Sequence, residues 1–116
     1  MEWSVEFYRN NKGEEPARTF LESLDPSEQS AFETRVTYVK MKGPRVKSDV
    51  MTNVQGVKGL YRLRIKSENN PRFLLCAVAG RRFFVLHGFK EKDASDYKKA
   101  VKKAIPRQKA VQRAYG

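Results

Sequence analysis

Between residues 59 and 92 this chain carries three short apolar runs, separated by tight polar turns, with arginines and lysines threaded through them. The first reads G-L-Y-R-L-R-I-K-S at 59–67. Tyr61, Leu63 and Ile65 alternate there with Arg62, Arg64 and Lys66, so a strand at this position sends an apolar face one way and a basic face the other. The second, around Phe73–Ala79, is almost wholly apolar, as a central strand buried on both sides requires. The third spans Phe83–Phe89 and runs into Lys90-Glu91-Lys92. The turns at 67–71 and 79–81 are too short for anything but antiparallel neighbours. The chain is therefore constrained to a meander that presents arginines on one face, which is a phosphate-binding surface before it is anything else.

The flanking segments read as follows. Trp3, Val5 and Phe7 alternate, which predicts a first strand over Trp3–Tyr8, and Asn10-Asn11-Lys12-Gly13 is a turn. Pro16 to Leu24 is a short helix with Ala17, Phe20, Leu21 and Leu24 on its apolar stripe. Asp25-Pro26-Ser27-Glu28 opens a second helix: a capping residue, a proline at the first helical position, and a glutamate at the positive end of the dipole. Phe32, Val36 and Val39 give it one buried face, and Gly43-Pro44 ends it. Residues 43–57 read as an irregular connection. A last helix begins near Asp93 or Ser95, with Tyr97, Ala100, Val101, Ala104 and Ile105 on its stripe; Pro106 breaks or kinks it, with Arg107–Tyr115 open to continue as another basic helical turn. The expected order is β-α-α-β-β-β-α. It describes an α+β fold with a small antiparallel sheet, the first strand at an edge, an αα-hairpin over one face and a basic C-terminal helix. One domain over residues 1–116 is expected, with 106–116 as a basic extension.

The charge is concentrated where the strands are. Residues 57–116 hold 16 Lys/Arg against 4 Asp/Glu, or +12; residues 1–56 hold 8 against 9, or −1; together these make the net +11. An anionic partner follows, with nucleic acid first and a membrane surface or an acidic protein behind it. No apolar segment approaches a membrane span, the N-terminal stretch lacks the features of a signal peptide, and a cytoplasmic protein is expected. The single cysteine, Cys76, lies inside an apolar run and reads as core; with one Cys and one His, a zinc site is not expected, nor is any cofactor.

The element order, G-L-Y-R-L-R at 59–64, L-H-G-F-K-E-K at 86–92 and K-G-P-R at 42–45 together resemble the RelE/ParE superfamily of toxins from bacterial toxin–antitoxin pairs. The similarity is greatest to its HigB-type, phage-derived branch, over roughly residues 3–105. The resemblance implies a RelE-like fold and a toxin that cleaves mRNA, often on the translating ribosome. It also implies a small cognate antitoxin, commonly with a helix-turn-helix DNA-binding domain, and binding of operator DNA by the toxin–antitoxin complex. The ParE sister branch shares the fold and poisons DNA gyrase instead. A non-catalytic nucleic-acid-binding module is the reading outside both.

Metal-free RNA cleavage needs a base for the 2′-hydroxyl, fixed positive charge on the phosphate and an acid for the leaving oxygen. The resemblance places Arg62 and Arg64 where nuclease relatives carry basic residues, some of them a lysine base. Arginine is a poor base, so both are assigned to phosphate contact; ordinary solvent-facing arginines are the alternative. Arg72 matches a family arginine on the scissile phosphate. Lys90 and Lys92 are candidates for proton transfer, made so by crowding with Arg64 and Arg72. Glu91 departs from the family's basic residue at that place and either acts as a base or pairs with a lysine. Tyr97 falls where ribosome-dependent relatives place a base-stacking tyrosine, though it also lies on the helix's apolar stripe. Lys66, Lys98 and Lys102 are expected along the RNA backbone. His87, by strand alternation, shares a face with Phe83, Val85 and Phe89 and reads as a core residue.

Overall fold

The computed structural model describes residues 2–116. Its elements are β1 (Ser4–Phe7), α1 (Pro16–Glu22), α2 (Pro26–Lys42), a 3₁₀ turn over Gly43–Arg45, β2 (Met51–Asn53), β3 (Leu60–Arg64), β4 (Pro71–Val78), β5 (Arg82–Lys90) and α3 (Ala94–Tyr115). The five strands form one sheet in the order β1-β5-β4-β3-β2. β2 through β5 pair antiparallel, and β1 joins the β5 edge in parallel. The expected order holds, with one further strand: β2, inside the segment read as irregular, where Met51 pairs with Leu63 and Asn53 with Tyr61. Three residues in an otherwise polar stretch carry no periodicity of their own; β3's open edge makes them a strand.

Each face of the sheet is covered. On one, α1 and α2 bring Ala17, Leu21, Leu24, Phe32, Val36 and Val39 against Leu63, Ile65, Phe73, Leu75, Phe83 and Val85, with Trp3, Val5 and Phe7 packed at the side. On the other, Ala100, Ala104 and Val111 of α3 lie on Leu60, Leu74, Cys76, Phe84 and Leu86. The apolar alternation of β1 and β3 thus reads out on the helical-hairpin side, and Arg62 and Arg64 fall on the α3 side.

The helix ends follow the sequence closely. Glu28 at the third helical position of α2 accepts the Asp25 backbone N–H at 3.2 Å. At α3, Asp93 accepts from the backbone N–H groups of Ser95 and Asp96 at 2.9 and 3.1 Å, while Asp96 accepts from those of Lys92 and Asp93 at 2.8 and 3.2 Å. Gly43 ends α2 at φ +62°, and a Cβ there would lie 2.4 Å from the indole nitrogen of Trp3, so both backbone and packing demand glycine.

α3 does not stop at Pro106. It runs on to Tyr115, and its second half is docked. Gln108 is buried and donates to the Lys58 carbonyl at 2.9 Å, Val111 enters the core, and the Tyr115 ring stacks on Phe84 at 4.8 Å. Of the outcomes open at Pro106, the break does not occur and the helical continuation over Arg107–Tyr115 does, because tertiary contacts on both sides of Pro106 compensate for the missing N–H.

Candidate nucleic-acid site

Three strand ends and one helix start meet on the α3 side of the sheet. β3 contributes Arg62 and Arg64, β4 contributes Arg72 at its second residue, the end of β5 leads into Glu91, and the first turn of α3 supplies Tyr97. Register sets the grouping: Arg64 is directly opposite Arg72. Like charges facing each other across strands are unfavourable, so a counter-ion is needed.

Glu91 is that counter-ion. Arg62 Nη1 donates to its two carboxylate oxygens at 3.1 and 3.2 Å, and Arg72 Nε lies 3.4 Å from Oε1. The three side chains are only 18%, 17% and 23% exposed for Arg62, Arg72 and Glu91, so solvent screens these charges less than surface ones. The Arg62 guanidinium lies over the Tyr97 ring, 4.6 Å from its centroid, a cation–π contact. Arg72 Nη1 also donates to the carbonyls of Ile65 and Pro71, both at 3.1 Å, which fixes the guanidinium at the base of the β3–β4 turn. Burial draws the Arg72 pKa below its ordinary value; Glu91 opposes this, and Arg64 and Arg62 reinforce it. Arg62 Nε and Arg72 Nε are buried and make no hydrogen bond.

The turn that carries Arg72 is itself tied down. Buried Glu28 of α2 accepts from the Ser67 hydroxyl and from Asn69 Nδ2, and the Ser67 bond does most to hold its pKa below the usual carboxylate range. Glu91's backbone N–H donates to the Asn70 carbonyl at 3.1 Å, which holds the β5 exit beside the same turn.

Of the residues marked in the sequence, Arg62, Arg64, Arg72 and Tyr97 come together. Lys66, Lys90, Lys92, Lys98 and Lys102 are exposed, and none of them enters the Arg62–Glu91–Arg72 contacts. Glu91, read as a base or a lysine's partner, pairs with two arginines. Tyr97 is half-buried, packed against the α3-side core with its ring under Arg62.

His87 is not on the face alternation predicts. Leu75 pairs with Val85 and Leu74 with His87, so Leu86 is an extra residue on β5. Phe83 and Val85 face the hairpin; beyond the bulge His87 and Phe89 stack at 6.0 Å, and Phe89 packs with the α3-side core. Arg107 Nη1 donates to the Leu86 carbonyl at 2.8 Å and lies 3.2 Å from His87 Nδ1. Burial, with Arg107 and Lys103 nearby, pushes the His87 pKa down to about 4, so it is neutral at pH 7. Arg107 is the contact that sequence reasoning missed; nothing in its surroundings in the chain signals a partner 20 residues away. Cys76 is buried in the sheet, and burial pushes its thiol up to about 12, which leaves it inert.

No group of His, Cys, Asp and Glu among the described residues has the arrangement to hold a metal ion. No helix among them is long and apolar enough to cross a membrane.

A five-stranded sheet with a helical hairpin on one face, a capped basic helix on the other and an arginine cluster at the strand ends defines a class of small protein with the RelE fold. A solved structure of a double arginine-to-alanine variant of the E. coli toxin RelE in its free state superposes with a TM-score of 0.63 at 17% identity, covering 88% of this chain and 97% of that one. The family profile described as "Phage derived protein Gp49-like (DUF891)" matches residues 19–109, and the chain belongs to that family. No curated protein sequence matches the chain.

Proposed function

We propose that this chain is the toxin of a toxin–antitoxin pair and acts as a metal-independent endoribonuclease on mRNA at the translating ribosome. The observation that carries the reading is the convergence of Arg62, Arg64 and Arg72 with Tyr97 on one sheet face. Three guanidiniums at this spacing suit a phosphodiester whose charge grows as the 2′-oxygen attacks. Arg72, held by two backbone carbonyls, is the phosphate clamp; Arg62 and Arg64 flank it. Lys90 and Lys92, at the β5 exit, are assigned to proton transfer. Lys66, Lys98 and Lys102 extend the basic surface along the RNA backbone. Tyr97 offers a ring for a base to stack on. The partner is a cognate antitoxin with a DNA-binding domain, reaching operator DNA only as the complex; charge complementarity favours an acidic or amphipathic segment over residues 60–105.

The gyrase-poison reading keeps one observation in its favour. Where some nuclease relatives carry a lysine base, this chain has Arg62 and Arg64, and Glu91 offsets part of the charge of Arg62. Induced expression in a bacterial host separates the readings. Wild type is expected to arrest growth and create new 5′ ends in a reporter mRNA, mapped by primer extension, and Arg72→Ala is expected to lower cleavage by about 100-fold or more, the cost of one charge-stabilising donor. Arrest without new RNA ends points to gyrase.

A further inference from the structure

Glu91 does more than neutralise its neighbours. We propose that its carboxylate is a built-in occupant of the phosphate site, so that RNA binds by exchanging one anion for another on Arg62 and Arg72. This rests on the reading of these arginines as phosphate ligands. A carboxylate with both oxygens on one guanidinium and one of them beside a second guanidinium makes the contacts a bridging phosphate would make. No phosphate can take those contacts while Glu91 holds them.

The surroundings favour exchange over a permanent lock. Arg62 Nε is a buried donor with no hydrogen-bond partner, and Arg72 Nε has only the long 3.4 Å ion pair to Glu91 without hydrogen-bond geometry; a phosphate, with more oxygens than a carboxylate, has acceptors to offer both. Three arginines against one glutamate leave the cluster at +2, so it still attracts an anion with Glu91 in place. Arg64, in register with Arg72, makes none of the Glu91 contacts and is free to meet the incoming phosphate first. Residues 91–93 lie between β5 and α3, outside helix and strand, so the Glu91 side chain can swing away while the backbone stays. The occupant also has a folding role. Without it, Arg64 and Arg72 face each other across β3 and β4 with no anion nearby whenever RNA is absent.

The exchange predicts that this protein binds RNA more weakly than its net charge suggests, and that removing the occupant tightens binding. The test is fluorescence anisotropy with a short RNA carrying 2′-O-methyl groups, which binds but cannot be cleaved, at fixed salt. Glu91→Ala and Glu91→Gln are each expected to bind about tenfold more tightly than wild type, a change of ~1.4 kcal/mol. Glu68→Gln, which removes an exposed carboxylate from the β3–β4 turn, is expected to leave affinity within about twofold, since exposed charges at that remove are screened. Unchanged or weaker binding by a folded Glu91→Gln overturns the proposal and makes Glu91 a brace for the arginines. So does equal tightening by Glu68→Gln, which would reduce the effect to net charge. The readout needs no cleavage. A chain that proves not to be a nuclease but gains RNA affinity on loss of Glu91 keeps the exchange and loses only the activity.

Discussion

At the residue scale, the chemistry of this protein depends on positions that a strand-alternation rule misplaces. The single extra residue at Leu86 turns His87 from the hairpin side to the α3 side, next to Arg107. The consequence is a pH dependence. The folded-state pKa of His87 is near 4 against an ordinary value of 6.5, so the unfolded chain takes up the proton first. Stability is complete above about pH 6.5 and is lost as pH falls toward 4, by an amount on the order of 2–3 kcal/mol. Urea titrations at several pH values are expected to show that slope, and His87→Phe to flatten it. Gly88 is equally constrained: a Cβ there would lie 2.3 Å from Phe20 Cδ2. Gly88→Ala is expected to cost about 1–3 kcal/mol as α1 is pushed off the sheet, measured by thermal melting. The L-H-G-F block is thus explained by packing rather than by acid–base chemistry.

Among the elements, α3 departs most from expectation. Its start was legible: Asp93, Ser95 and Asp96 are a capping pattern in any context. Its length was legible only as an alternative: Pro106 forbids one hydrogen bond and clashes locally, which leaves a break, a kink or a continuation over Arg107–Tyr115 open, and the contacts that carry the helix past it come from Lys58, Phe84 and the core around Val111. The proline therefore sits in the helix at a cost. Pro106→Ala is expected to stabilise the protein by about 1–3 kcal/mol in urea unfolding without altering RNA binding, since residue 106 is exposed and remote in sequence from the cluster. β2 was illegible for the converse reason: its three residues are a strand only because β3 offers them an edge.

For the whole molecule, the site depends on a contact between distant parts of the chain. Glu28, at the start of α2, reaches the β3–β4 turn through Ser67 and Asn69, and that turn carries Arg72. The Glu28 carboxyl is held below 4.5, chiefly by Ser67. Its contribution is present above that value and lost as pH falls through the folded-state pKa. Glu28→Gln is expected to cost about 1–3 kcal/mol at pH 7 and little under strong acid, measured as unfolding free energy against pH. The sheet's two covered faces have separate duties. The hairpin face is core, and the α3 face combines core at its centre with arginines at one end.

The sequence by itself determined the elements other than β2, the caps and the sharing of one strand face by Arg62 and Arg64, because period-two and period-3.6 patterns and turn residues are local properties of the chain. It determined the basic half, since net charge needs no geometry, and with it the expectation of an anionic partner. Only the tertiary structure decided that Arg72 stands opposite Arg64, that Tyr97 lies under Arg62, that Glu91 bridges two arginines and not a lysine, and that His87 faces Arg107. These are consequences of register and of one bulge. A shift of one residue moves a side chain to the other face, and strand pairing between segments far apart in the chain sets that shift.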